Sequence, residues 1–500
     1  MPTMEEKAAE ARGTAPTFET LLQGVGPFGL YQKVMCVALI GGSTLVCALT
    51  YYTQVLLMLT PPATCNDPQP GPGYRPPQLM ADGVSSANVT SNDTGSVFSG
   101  GDSNSSSRVV GGSTGGARCG NWSYDTGVMF HTIASENDWV GDEAWRPFIV
   151  HAVFWAGNIV GSWVWGIISD KLGRRPATIA SFVVYAAGGA LTLVRPSSME
   201  VIMVVRFLVG SAHHTVTHLP YVLVIEYCGS AYRTYPLLAL IAAWGLGGVL
   251  LPWIAFFAWN WRLLVCVSSM PLLIAVLFYR YIPESASWLM VNGRGDEAEA
   301  VLRRVAAANG CELDEAVFCE VMVDKREGEP QTGGESLLHV WRHQRLMKNM
   351  AFVTILWMLA CLCFYGHSQN TGNLGRSVFV SFSLGGAVEL AALVVPLVIH
   401  RLGRRWPMAT FFVTSGLCGV LYAMIGSGLS SAGRLALGLT GRMLIMGAYS
   451  TCLQYGPELF PTVIRGQSLA LYETLGGLAI FISPSIVYLH HQTPGLPLLV

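Results

Sequence analysis

Long apolar runs, separated by short polar turns, constrain this chain more than any other feature. The first is Val34 to about Thr60. Ten more follow, at about Pro147–Ile168, Pro176–Val194, Glu200–Tyr227, Thr234–Phe257, Trp261–Ile282, Asn349–Tyr365, Asn373–Ile399, Trp406–Ile425, Leu435–Tyr455 and Gln467–Leu489. Most reach the roughly 20 residues that a helix needs to cross a bilayer. Hydrocarbon offers the backbone no hydrogen bonds, so a spanning run must satisfy its own amides as a helix. The chain is 51% hydrophobic and only 12% charged, where a soluble domain carries about 25% charged residues. The expected fold class is therefore an all-α membrane protein with eleven visible spans. A net charge of −1 gives no basic face for a nucleic acid. No nucleophile–base pair or G-x-x-x-x-G-K-[ST] nucleotide loop is present, and His214 and His218, four apart as in some zinc sites, have no third ligand in view. The reading is of a non-enzyme without cofactor or metal, not driven by ATP.

Charge placement sets the expected topology. Met1 to Lys33 has no apolar leader and reads as a cytoplasmic N-terminus. Residues 34–282 form a first bundle, 283–348 a cytoplasmic linker, and 349–500 a second bundle. Lys171, Arg174, Arg175 and Arg233 fall inside, Arg195 and Arg262 outside. Residues 61–146 are Pro-, Ser-, Gly- and Asn-rich, too polar to bury a core, so much of the segment is expected to be disordered. It carries four glycosylation sequons, at Asn88, Asn92, Asn104 and Asn121, which need a lumenal or extracellular loop. Cys65 and Cys119 bracket this loop, in a compartment where a disulfide can form. In the linker, Asp296 to Ala307 places Ala298, Val301, Leu302 and Val305 on one face of an amphipathic helix.

The stretch Gly166-Ile167-Ile168-Ser169-Asp170-Lys171-Leu172-Gly173-Arg174-Arg175 joins two spans by a turn of a few residues. Its glycines allow two backbones to approach, and its cations suit a cytoplasmic hairpin. Bare topology requires neither Asp170 nor the glycines. The pattern resembles the loop between the second and third helices of major facilitator superfamily transporters. His400-Arg401-Leu402-Gly403-Arg404-Arg405 is a reduced echo in the equivalent place of the second half, which suggests an internal duplication. The resemblance implies two six-helix halves. The sequence stops at Val500, where a twelfth apolar run is only beginning, so either the sequence is truncated or the last helix is missing.

Further motifs resemble the organic cation, anion and zwitterion transporters of solute carrier family twenty-two. These are Arg206-Phe207-Leu208-Val209-Gly210, the Glu226 to Arg233 loop, Pro283-Glu284-Ser285-Ala286-Ser287-Trp288-Leu289, Asn370 to Leu374, and Glu458 to Arg465. Thr217 to Tyr221 resembles invertebrate carcinine and β-alanine transporters. The resemblance implies a multi-pass plasma-membrane carrier of small organic cations or zwitterions. It would work by alternating access, through potential-driven facilitated diffusion or exchange. A non-transporting receptor or scaffold on the same fold is the alternative, favoured by the missing helix and the degenerate echo.

Site residues follow from the same resemblance. Glu389 matches an acid facing the central cavity. It reads as the counter-charge of a substrate cation or as a structural acid paired with a neighbouring helix. Thr474 holds the position where cation carriers tend to place Asp, and anion and carnitine carriers Arg. Glu473 sits one residue away, about 100° round the helix. Trp357 and Phe364 are two turns apart and match aromatic cavity positions, where rings bind ammonium groups. Tyr221, Trp244 and His214 are further candidates, against a reading of the aromatics as packing or interface belt. Asp170, Arg174, Arg175, Glu226, Arg233, Glu458 and Arg465 are expected to form charge networks that link helix ends in one state and break in the other.

Overall fold

The computed structural model describes residues 17–66, 68–70, 117–119, 121–194, 198–277, 279–327, 344–375, 377–395, 399, 403–460 and 462–488. Asn88, Asn92, Asn104, Arg195, His400 and Arg401 lie outside the described residues, as do the side chains of Cys119, Glu458 and Arg465.

Eleven long helical segments are found among the described residues, at the places the apolar runs predict. They are α1 (Leu30–Met58), α2 (Arg146–Leu172), α3 (Arg174–Leu193), α4 (Met199–His213 and Thr215–Ile225), α5 (Thr234–Ala258), α6 (Trp261–Leu277), α7 (Gln344–Asn370), α8 (Val378–Ala391), α9 (Arg405–Ile425), α10 (Ser431–Glu458) and α11 (Thr462–Tyr488). Seven of them, α1, α2, α3, α5, α7, α9 and α11, contain windows long and apolar enough to cross a membrane. The helices α6 and α8 are shorter and apolar.

Local chemistry explains the irregularities. In α1 the α-helical pattern widens to a π-helix over Cys36–Gly41, a deviation that often sits at functional positions. α4 breaks at His214, whose carbonyl accepts from the Thr217 and His218 amides at 3.1 and 2.8 Å. Downstream, Pro220 lies inside the second piece and supplies no amide to continue the ladder. The turn from α2 to α3 needs Gly173, whose φ of +104° is costly for any residue with a Cβ. There the Glu284 carboxylate accepts from the Arg174 and Arg175 amides at 2.8 and 3.2 Å, capping α3.

Small residues let helices touch. A Cβ on Gly157, Gly161 or Gly210 would overlap the backbone of the facing helix, so α2 and α4 lie backbone to backbone, as expected where lipid gives no hydrophobic drive between helices. The two halves meet through α5 with α8 and α2 with α11. A shift of six helices converts α2 to α8 and α5 to α11, so these are one contact made twice. That is the structural form of the internal duplication.

The ends of the long first loop form two short antiparallel ladders. β1 (Ala63–Cys65) pairs with β4 (Trp122–Tyr124), Cys65 opposite Trp122. β2 (Pro68–Pro70) pairs with β3 (Ala117–Cys119), Pro68 opposite Cys119. Cys65 is disulfide-bonded. On the opposite face, the linker helix Gly295–Asn309 buries Ala298, Leu302, Val305 and Ala306, with Val301 only partly buried. Its last residue, Asn309, accepts from the Tyr31 amide at 2.9 Å and donates to the Val25 carbonyl at 2.9 Å. This fastens the linker to the start of α1.

Candidate functional site

At the centre of the bundle α8 places Glu389 against Arg442 of α10, 2.6 Å apart and 0% and 1% exposed. The Tyr52 hydroxyl of α1 lies 3.1 and 3.0 Å from the two carboxylate oxygens and 3.2 Å from an Arg442 nitrogen. Arg442 also donates to the Thr371 hydroxyl. A buried charge is tolerated when it is paired and its remaining hydrogen bonds are met. Glu389 meets those terms, its partner coming from α10. Arg442, an intramembrane cation in the Leu435–Tyr455 run, escaped the sequence reading. A lone Arg inside an apolar run was the available signal.

An aromatic wall crosses from one half to the other. Trp357 and Phe364 share a face of α7, and Tyr449 of α10 lies against both, with ring centroids 4.9 and 5.0 Å away. Tyr365 continues the wall, 5.2 Å from Phe364 and 4.7 Å from Trp155 of α2. Tyr51 of α1 joins it at 5.9 Å from Tyr365 and 5.5 Å from Trp244. His214 touches the same wall at Trp155, 6.0 Å between centroids. Tyr221 lies two turns further along α4, half-buried, with no ring contact to this wall among the described residues.

Glu473 and Thr474 are half-buried on α11. The Glu473 carboxylate is within electrostatic reach of Tyr449, Tyr472 and Cys361. It has no ion-pair partner among the described residues. The two intramembrane acids therefore differ: Glu389 is paired with a protein cation, whereas Glu473 has no ion-pair partner among the described residues.

Between the halves, contacts climb from mid-bundle to the loop-bearing face. Gly248 and Gly386 touch, the Trp253 indole donates to Ser383 at 3.0 Å, and Phe379 lies edge-on to Phe256 and tilted to Trp259, with centroids 5.5 and 5.9 Å away. Phe130, carried by the first loop, packs on both Trp259 and Phe379. Phe148 meets Tyr488 at 5.0 Å on the α2/α11 side. These contacts join the two halves toward the loop-bearing face. Beneath it Glu136 accepts from Arg262 at 3.0 Å and from the Trp261 indole at 2.9 Å, beside a cleft of about 360 Å³ lined by Phe130, His131 and Trp259.

On the linker face the described gate pairs stay within the first half. Arg174 meets Asp170 at 2.9 Å and Glu226 at 3.5 Å, and Arg233 meets Glu19 at 3.9 Å. Burial pushes the Glu226 carboxyl up from its usual range, while Ser285 and the Arg174 guanidinium pull it down. Arg175 bonds the Tyr279 carbonyl at 2.9 Å. No group of three or more metal-ligating side chains occurs among the described residues.

Paired helical halves around a buried, partly polar centre, joined toward the loop-bearing face, are the architecture of a membrane transport protein. The chain belongs to the Major Facilitator Superfamily, whose sequence profile matches residues 127–484. It is 27% identical to the Organic cation transporter protein of Drosophila melanogaster, over 76% of this chain and 71% of that one. It is 28% identical to human Organic cation/carnitine transporter 2, over 75% and 67%. Its fold matches the inward-open xylose transporter XylE from E. coli with a TM-score of 0.57, covering 91% of this chain and 89% of that one at 13% identity. The curated relatives, which are transporters, favour a carrier over a non-transporting receptor or scaffold, and over an enzyme.

Proposed function

We propose that this chain carries small organic cations or zwitterions across the plasma membrane by alternating access, with the ammonium group held between Glu473 and the Trp357–Tyr449–Phe364 stack. One observation supports this most: of the two intramembrane acids, Glu473 alone lacks a protein cation among the described residues. Intramembrane acids are functional by default. Aromatic faces add about 0.5–2 kcal/mol each toward a desolvated cation. The relatives' names, organic cation and organic cation/carnitine transporters, point to the same substrate class.

In this reading the N-terminus and linker are cytoplasmic, and the first loop is extracellular and glycosylated at its sequons. Taken as closed where the halves join toward the loop face, the structure is then an inward-facing state. Asp170, Arg174, Arg175, Glu226, Arg233, Glu458 and Arg465 would re-pair across the halves when that face opens and the linker face closes. A cation would gain about 2.3 kcal/mol per charge per 100 mV on entry. A zwitterion would need exchange or ion coupling.

The test is uptake of labelled tetraethylammonium, carnitine, carcinine, β-alanine and an aryl anion by cells expressing the chain, with and without depolarisation. Saturable cation or zwitterion uptake, lost in Glu473→Gln at equal surface expression, is the expected result. Undiminished uptake in Glu473→Gln, or uptake of the aryl anion alone, would sink the proposal.

A further inference from the structure

The first half holds a second buried arginine, in surroundings unlike those of Arg442. Arg206 of α4 is 3% exposed. Its Nε and Nη2 have no hydrogen-bond acceptor, and no acid pairs with it among the described residues. Arg442, equally buried, has Glu389 at 2.6 Å. A guanidinium left unpaired in a low-dielectric interior is strongly unfavourable, so Arg206 calls for an anion that the described residues do not supply.

Other unmet donors converge on the same region. His151 of α2 is 5% exposed, and its Nε2 has no partner. It lies within electrostatic reach of Arg206. Gln54 of α1 is 0% exposed, with both amide atoms unpartnered. It shares a helix face with Cys47 and Tyr51, and the Tyr51 ring lies 6.5 Å from His151. Arg206 is two turns before His213 on α4, and the His213 ring lies 6.0 Å from Tyr51. Three neighbouring helices thus carry a guanidinium, an imidazole and a carboxamide with unmet hydrogen-bonding atoms, and no carboxylate among the described residues pairs with the guanidinium. α2 and α4 pack backbone to backbone here, a close approach that suits a small ligand rather than a large one.

We propose that Arg206, His151 and Gln54 form a buried site for a small monovalent inorganic anion of the chloride kind. The anion supplies the negative charge that Glu389 supplies to Arg442, and it fastens α1, α2 and α4 together. The site is independent of which substrate the aromatic wall accepts.

The experiment is thermal unfolding of the purified full chain in detergent, comparing sodium chloride with sodium gluconate at equal ionic strength. Chloride is expected to raise the midpoint by several degrees in a saturable manner, and Arg206→Gln to abolish the rise. His151→Ala and Gln54→Leu, which leave the charge in place, are expected to raise the half-saturating chloride concentration about tenfold, one hydrogen bond's worth. These two variants decide the matter if Arg206→Gln does not fold. A wild-type midpoint indifferent to chloride, equal stabilisation by gluconate, or a half-saturation point unmoved in both variants would overturn the site.

Discussion

Tyr449 of α10 stands between Trp357 and Phe364 of α7, its ring centroid 4.9 Å from one and 5.0 Å from the other. A ring from a different helix thus turns two aromatics on one helix face into a three-ring stack. Glu473 is within electrostatic reach of that ring, so the stack is the place where a cation gains both a charge and a π-face.

Replacing Tyr449 by Ala is therefore expected to raise KM for a cationic substrate roughly two- to thirtyfold, the equivalent of about 0.5–2 kcal/mol of cation–π interaction. Tyr449→Phe keeps the ring and is expected to keep most of the affinity. Concentration-dependent uptake at matched surface expression checks both. Equal KM in the wild type and Tyr449→Ala would remove the stack from the site.

The Glu389–Arg442 pair gives a different prediction. Breaking a buried pair from one side leaves an uncompensated charge, at a cost of about 3–5 kcal/mol. Glu389→Gln and Arg442→Met are each expected to reduce folded protein sharply. The double variant is expected to recover part of the loss, because no bare charge remains. Size-exclusion profiles of the solubilised single and double variants provide the measurement, and strictly additive losses would argue against the pairing.

Gly386 of α8 has no room for a side chain, since a Cβ would overlap the Gly248–Val249 backbone of α5. Gly386→Leu is expected to force the halves apart and to cost several-fold in folded yield, whereas Gly416→Leu on α9, with nothing within 4 Å of a Cβ, is expected to be neutral. Small-residue packing between membrane helices predicts this contrast, and a fluorescence-detected yield of each variant tests it.

The seal proposed for the loop face centres on Phe379, which packs against Phe130, Phe256 and Trp259. Phe379→Ala is expected to loosen that seal. In a background carrying Ser383→Cys, a maleimide that does not cross membranes should then label faster from the loop side than it does with Phe379 in place. Unchanged labelling would place the seal elsewhere.

What the sequence determined by itself is local. Runs of apolar residues become helices in a bilayer because nothing else satisfies their backbone, so the helical segments fall near their predicted places. The amphipathic linker helix Gly295–Asn309 buries the predicted Ala298, Leu302 and Val305, because its period is visible in a polar context. The membrane helices are apolar almost all round, and such a pattern does not say which face turns inward. Tertiary structure alone decided that Glu389 meets Arg442, 53 residues away, and Tyr52, 337 residues away. It also set Tyr449 between Trp357 and Phe364. An intramembrane charge takes its role from the partner across the bundle, and that partner is fixed by helix packing rather than by spacing along the chain.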